Sequence, residues 1–434
     1  MIGRESLSLL STNVDFRRFV AGQFVTNAGD SLYTVAVLWL VYDLSGSTLL
    51  TGITSAILLL PWLLQVLAGP VVDRFPLGPL LVGSQLLQGV VVLVFPLAAV
   101  TGLLNVGVVF AVVPVLTLAT LVMAPMQATL VPRLVAERRL SGANAVLATV
   151  TLGLDMVFDA VGGAVVALFG TTTLFLADAG TFALAALLFA RISSVSFATA
   201  DAPKTAPGDR SDRRLASVVD SYLTDLRVGV DALRGSVFVE LVGLTAVANL
   251  ATGVTLAVLP AFGGALGGPL VYGALLGSLG VGRLVGSLVA PSLETVPYGW
   301  IGLLGNSLGA TCWLAAVLVQ SPAATVVLFG LAWVPAGASG VLTATLNQTV
   351  FPGDLLGRVS SVKGTASGAT LPLGSLVGGL LAQLLGTATT MALAAGGFGL
   401  AGLAFLVRGR LRRLPSVTDA DPEAFDVTLP TDIE

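Results

Sequence analysis

The sequence contains no histidine and one cysteine, and only 10% of its 434 residues are charged. Each scarcity excludes something. Without histidine the chain lacks the side chain most often used to shuttle protons or bind metals near neutral pH, so any proton-coupled step falls to carboxylates. The lone Cys312 lies inside an apolar run, which rules out a disulfide framework or a four-ligand zinc site and reads as a small buried hydrophobe. No glycine-rich loop runs into a lysine for phosphate binding, and no metal-ligand set is clustered; neither metal nor cofactor is expected, and an enzyme embedded in the membrane is poorly supported. Charge is also too sparse for helices facing water, since soluble domains carry about a quarter charged residues.

What the sequence does hold is hydrocarbon. Hydrophobic residues make up 55% of it, gathered in runs that repeatedly reach the roughly 20 residues needed to cross a bilayer core. They predict helices over roughly 17–42, 48–72, 78–101, 104–130, 143–168 and 172–192, then 236–262, 269–291, 298–320, 323–350, 359–384 and 387–407. Alternate connections, at Asp43 to Ser47, Gly102 to Asn105, Gly170 to Thr171, Gly263 to Gly268, Ser321 to Pro322 and Leu385 to Gly386, are short and carry neither Lys nor Arg. The basic residues Arg17, Arg18, Arg74, Arg133, Arg138, Arg139, Arg283, Arg358, Lys363 and the run from Arg408 to Arg413 fall on the other side. By the positive-inside rule this puts both termini in the cytoplasm of a multi-pass protein of the cell membrane. Met1 to Asp15 is polar and the first apolar run has full spanning length, so no cleavable signal peptide is expected.

The fold class is therefore an all-α membrane protein of twelve transmembrane helices: a six-helix bundle over 1–192, a cytoplasmic linker over 193–235, a second six-helix bundle over 236–407 and an acidic tail over 408–434. The linker opens with a Pro, Ser, Asp and Arg mixture that cannot build a core. It then places Leu215, Val219, Tyr222, Leu226, Val230 and Leu233 at helical spacing, which predicts an amphipathic helix on the inner membrane face. The tail carries Asp419, Asp421, Glu423, Asp426, Asp432 and Glu434 without a basic residue after Pro415 and is expected to be disordered. The halves echo one another: Val25-Thr26-Asn27 with Val247-Ala248-Asn249, Gln127 before Pro132 with Gln348 before Pro352, and Gly162-Gly163 before Gly170 with Gly378-Gly379 before Gly386. Together these favour a six-plus-six duplication.

After the second run comes Gly69-Pro70-Val71-Val72-Asp73-Arg74, which resembles the signature loop between spans two and three of the major facilitator superfamily, although Pro76, Leu77 and Gly78 replace its further basic residue. Leu130-Val131-Pro132 with Ala143-Asn144-Ala145, Leu176-Ala177-Asp178-Ala179 with Thr181-Phe182, Leu259-Pro260 before Tyr272-Gly273, and Gly357-Arg358-Val359 before Pro372-Leu373-Gly374 resemble its macrolide-efflux and enterobactin-exporter branch, the drug:proton antiporter-3 group. The resemblance implies the major facilitator fold and a cytoplasmic gate in which Gly69, Asp73 and Arg74 latch against the start of the eleventh span, with Arg358 as the companion latch. A carboxylate facing a helix amino terminus gains about 0.3 to 1 kcal/mol, a bias that each transport cycle can reverse. The fourth-span arginine of larger drug antiporter groups has no match, since Gly107 to Thr129 holds no basic residue.

Ionised groups at membrane depth cost roughly 2.5 to 3.5 kcal/mol on insertion scales, so those present need a reason. Asp30 sits beside Asn27 near the middle of the first span, and Asp155 and Asp159 lie four residues apart on one face of the fifth. Such a pair repels itself, which favours holding a proton. Arg283 in the eighth span could meet Asp155 where, by the resemblance, spans five and eight face each other; snorkelling to the inner surface is the alternative. Asp178 reads as a cap and Glu240 as an interfacial residue. Gly273, Gly277, Gly282 and Gly286, and Gly364, Gly368, Gly374 and Gly378, contain pairs spaced by four that suit a sliding seam between the halves.

The expectation is a secondary transporter exporting a hydrophobic or amphipathic small molecule by alternating access, with protons as counter-substrate taken up at Asp30, Asp155 and Asp159, and with a cavity lined mostly by Phe, Trp, Leu and Val. Its partners are the cargo, protons and the lipid bilayer, with no nucleic acid, and it acts as a monomer. Proton-independent uptake, lipid movement, and a non-transporting receptor or assembly factor remain alternatives.

Overall fold

A computed structural model describes residues 9–64, 76–192, 224, 226–319 and 321–427, without the side chains of 62–63, 151–156 and 353–354. The described residues form helices and connections only. Ten helices are long and apolar enough to cross a membrane. With the shorter Thr48–Leu59 and the partly described Leu140–Phe169, they follow the order of the twelve predicted runs, of which 65–72 lies outside the described residues.

In order these are α1 (Val14–Ser45), α2 (Thr48–Leu59), α3 (Leu77–Val100), α4 (Val106–Leu134), α5 (Leu140–Phe169), α6 (Thr171–Ala190), α7 (Val237–Gly267), α8 (Pro269–Val289), α9 (Tyr298–Leu318), α10 (Pro322–Val350), α11 (Leu355–Leu385) and α12 (Thr387–Val407). Side-chain oxygens start several of them: Asn13 accepts from the Phe16 amide at 2.9 Å and Asn105 from that of Val108 at 3.2 Å. Three helices break shortly before a proline. α3 breaks at Leu93 before Pro96, α4 at Leu121 and Val122 before Pro125, and α11 at Ala369 before Pro372. Proline offers no N–H to the carbonyl four residues earlier and its ring crowds that carbonyl.

The chain divides into two compact units, 1–46 with 57–211, and 47–56 with 212–434. Pairings recur in both. In the first, α1 packs on α5 and α6, and α3 on α6; in the second, α7 packs on α11 and α12, and α9 on α12. The repeated glycines do the same work in each: a side chain at Gly162 would meet Val35 of α1, and one at Gly378 would meet Val254 of α7. Gly170 and Gly386 turn α5 into α6 and α11 into α12 with φ/ψ of 78°/168° and 87°/159°, a region that only glycine occupies without strain.

The second unit takes residues 47–56 from the first half of the sequence. Thr48 Oγ1 donates to the Gly379 carbonyl at 3.0 Å, and the Ser55 and Ser375 hydroxyls meet at 3.1 Å. Of the proposed amphipathic helix, residues 226–233 are helical. Leu226 and Leu233 face the core and Val230 is exposed, while Gly229 presses on the Arg358 carbonyl and Val362. Leu215, Val219 and Tyr222 lie outside the described residues.

The tail corrects the expectation of disorder as far as Val427. Val417, Phe425 and Val427 are buried in the core of the second unit, and the Phe425 ring stacks on Phe238 at 5.3 Å. Arg410 binds Asp426 at 2.6 Å and, with Arg408, flanks Glu240 at 3.7 and 3.1 Å, so Glu240 belongs to an ion cluster. Counting acids alone overlooks the three apolar anchors among them.

Candidate functional site

Each unit holds a partly open cavity. In the first unit a space of about 260 Å³ is lined by Asp30, Tyr33 and Thr34 of α1, Leu58 and Leu59 of α2, Gln88 of α3, Leu116, Thr117 and Thr120 of α4, and Asp178 and Phe182 of α6. Two carboxylates share this wall, and its described lining residues include no Lys or Arg. Gly29 makes the meeting feasible, because any side chain there would strike Asp178 and Thr181 and hold α6 away from α1. Asp178 is fully buried; its Oδ1 accepts from Thr181 Oγ1 at 3.2 Å. Asp178 Oδ2, the Tyr33 hydroxyl and Thr117 Oγ1 have no hydrogen-bond partner among the described residues. Orphaned buried polar atoms are costly and cluster where a ligand, proton or water completes them. Phe95 and Phe175, stacked at 4.4 Å, pack against the Tyr33 ring and fix it in place.

The second unit holds a larger cavity of about 420 Å³ between α7, α8, α9, α10 and α12. Its aromatic wall is Trp333, Phe398 and Phe405; its polar lining includes Thr245, Asn249, Thr252, Tyr298, Asn306, Ser339, Thr343 and Asn347. This lining is richer in hydrogen-bonding groups than the Phe, Trp, Leu and Val expected from the sequence. Among the described lining residues Arg283 is the one charged side chain, and its guanidinium carbon lies 4.8 Å over the Trp333 ring, a cation–π arrangement. Glycines set its position: α10 presses Gly337 against the Arg283 backbone, and α8 presses Gly286 against the Val334 carbonyl. The Tyr298 hydroxyl meets Thr343 Oγ1 at 2.7 Å, and Lys363 Nζ donates to Asn347 Oδ1 while lying 3.8 Å over the Phe238 ring.

The expected residues divide accordingly. Asp30 and Arg283 line cavities, one in each unit. Asn27 does not line Asp30's cavity; its amide donates to the Gln23 carbonyl at 2.6 Å. Asp159 is half-buried on α5, and the side chain of Asp155 lies outside the described residues. Gly69, Asp73 and Arg74 lie outside them too, while Arg358 is exposed at the start of α11. Among the glycines, Gly282 and Gly286 meet α10, and Gly374 and Gly378 meet α7, all inside the second unit. Gly273 and Gly277 are buried within α8, and Gly364 and Gly368 face open space. Asp178, which the sequence reads as a cap, lines the same cavity as Asp30. The available signal was a carboxylate within an apolar span, the same signal that singled out Asp30.

Comparison with known proteins gives a family. The sequence profile described as "transmembrane secretion effector" matches residues 5–430. No curated protein matches the chain significantly. Among solved structures, the nucleoside transporter NupG is similar with a TM-score of 0.68 at 11% identity, over 90% of this chain and 99% of that one. A peptide transporter POT in complex with sulfate gives 0.68 at 13% identity, over 93% and 96%. A bacterial homologue of the iron transporter ferroportin, in an inward-facing state, gives 0.65 at 16% identity, over 90% and 98%.

Proposed function

The chain belongs to the transmembrane secretion effectors, transporters of the major facilitator type, and from that premise we propose that it exports a hydrophobic or amphipathic small molecule in exchange for protons. It is a transport protein rather than an enzyme. The observation that carries the coupling is that Asp30 and the fully buried Asp178 line one cavity. Two like charges in one small, largely apolar space are costly, and a bound proton removes one of them. In this reading cargo and proton occupy the protein in turn, each favouring a different state of an alternating-access cycle. Asn27 and the Asp155 and Asp159 pair belong to the same proton and substrate path, and Arg283 to the cargo side.

The reading includes a cell-membrane location with both termini in the cytoplasm, as the distribution of Arg and Lys implies. Gly69, Asp73, Arg74 and Arg358 then form the cytoplasmic gate, and a single copy suffices for transport. The test uses purified protein in liposomes, an imposed pH gradient, and fluorescent amphipathic dyes of positive, negative and neutral charge. At least one dye is expected to accumulate against its gradient, and Asp30→Asn combined with Asp178→Asn should slow this by roughly tenfold or more. Dye movement that ignores the pH gradient in the wild type would replace exchange with facilitated passage.

A further inference from the structure

We propose that the second-unit cavity is an organic-anion site, and that the molecule bound there is an aromatic or otherwise flat amphipath carrying one acidic group held by Arg283. The inference rests on reading this cavity as part of the cargo path. Its first support is charge. Among the described residues the cavity lining contains one guanidinium and no carboxylate, and Arg283 makes no ion pair with any of them. An arginine at membrane depth is costly unless its charge is balanced, and an anionic ligand would balance it. The planar fork of donors suits a carboxylate, sulfonate or phosphonate oxygen pair better than a single ammonium would.

The second support is shape and chemistry. The Trp333 ring lies 4.8 Å from the guanidinium carbon of Arg283 and places an aromatic surface beside the group that would bind the acid. Phe398 and Phe405 extend the apolar wall, and Asn306 and the Tyr298–Thr343 hydroxyl pair supply neutral hydrogen-bonding groups on the same lining. One cation, a few neutral polar groups and an aromatic wall describe an amphipathic anion; a sugar would need less apolar wall and an inorganic anion more charge. The volume of about 420 Å³ falls within the roughly 300 to 1,000 Å³ of small-molecule sites.

The third support is rigidity. Gly337 and Gly286 lock α8 against α10 at the level of Arg283, so the guanidinium projects from a fixed backbone, as preorganised recognition requires.

The test is equilibrium binding to the full chain in detergent, which needs no transport. The probes are naphthalene-2-sulfonate and its neutral counterpart naphthalene-2-sulfonamide, followed by tryptophan quenching and checked by equilibrium dialysis. The sulfonate is expected to bind about tenfold or more tightly than the sulfonamide. Arg283→Gln should erase that preference while leaving the sulfonamide affinity unchanged, and Arg283→Lys should keep part of it. Equal affinity of the two probes in the wild type, a sulfonate preference that survives Arg283→Gln, or binding of neither probe overturns the inference. The proton-exchange reading fails separately: a sulfonate preference in a protein whose dye flux ignores the pH gradient leaves the anion site standing and retires the coupling.

Discussion

At Asp178 one carboxylate oxygen is bonded to Thr181 and the other has no partner among the described residues, while the neighbouring Tyr33 hydroxyl is orphaned as well. Asp178→Asn is expected to slow gradient-driven flux roughly tenfold or more while the protein still folds, because the amide keeps the Thr181 contact. Tyr33→Phe makes the sharper comparison. It removes a buried hydroxyl with no hydrogen-bond partner among the described residues, so thermal unfolding should be unchanged or shifted upward, yet flux should fall if the hydroxyl serves the cavity. Loss of stability without loss of flux would assign Tyr33 to packing alone. Legibility differs within this cavity. A pair spaced four apart, such as Asp155 and Asp159, can be read along one helix, whereas Asp30 and Asp178 meet only through the α1–α6 contact that Gly29 permits, and a linear pattern does not contain that contact.

Glycine spacing fixes which helices approach closely. Gly286→Leu places a side chain where the Val334 carbonyl stands and should destabilise the protein by about 1 to 3 kcal/mol, the usual cost of overpacking. Gly396→Ala, on α12 with no neighbour within 4 Å, should leave thermal stability unchanged or slightly raised. Equal effects would show that the α8–α10 contact is not tight. The spacing was visible in the sequence, but the partner was not: repeats of four show that some helix packs there without saying which. The tail poses a similar problem. Phe425 is fully buried against Phe238, so Phe425→Ala should release residues 415–427 and speed cleavage after Glu423 by a glutamate-specific protease by roughly tenfold. Arg410→Ala should matter less, because its bridges are partly exposed and such pairs contribute about 1 kcal/mol or less. Cleavage at the same rate in Phe425→Ala and the wild type would mean the tail is not docked.

The molecule as a whole is two units with matching helix pairings, α1 on α5 and α6, α7 on α11 and α12, and this duplication was legible from short echoes because the paired glycines serve the same contacts. The helix runs themselves were the clearest signal, since a bilayer imposes length and apolarity on every span. Charge sidedness then predicts that reporters placed at Gly263 to Gly268 and in Ser193 to Gly235 lie in opposite compartments; the same compartment would reverse the assigned orientation. The most direct test of proton exchange is proton movement caused by cargo. Protein in liposomes with a trapped pH dye, electrically clamped by potassium and valinomycin, would receive external naphthalene-2-sulfonate, which cannot itself carry a proton. The account predicts that the lumen becomes alkaline as the sulfonate enters, and that Asp30→Asn with Asp178→Asn abolishes the change; sulfonate uptake with no change in luminal pH would contradict it.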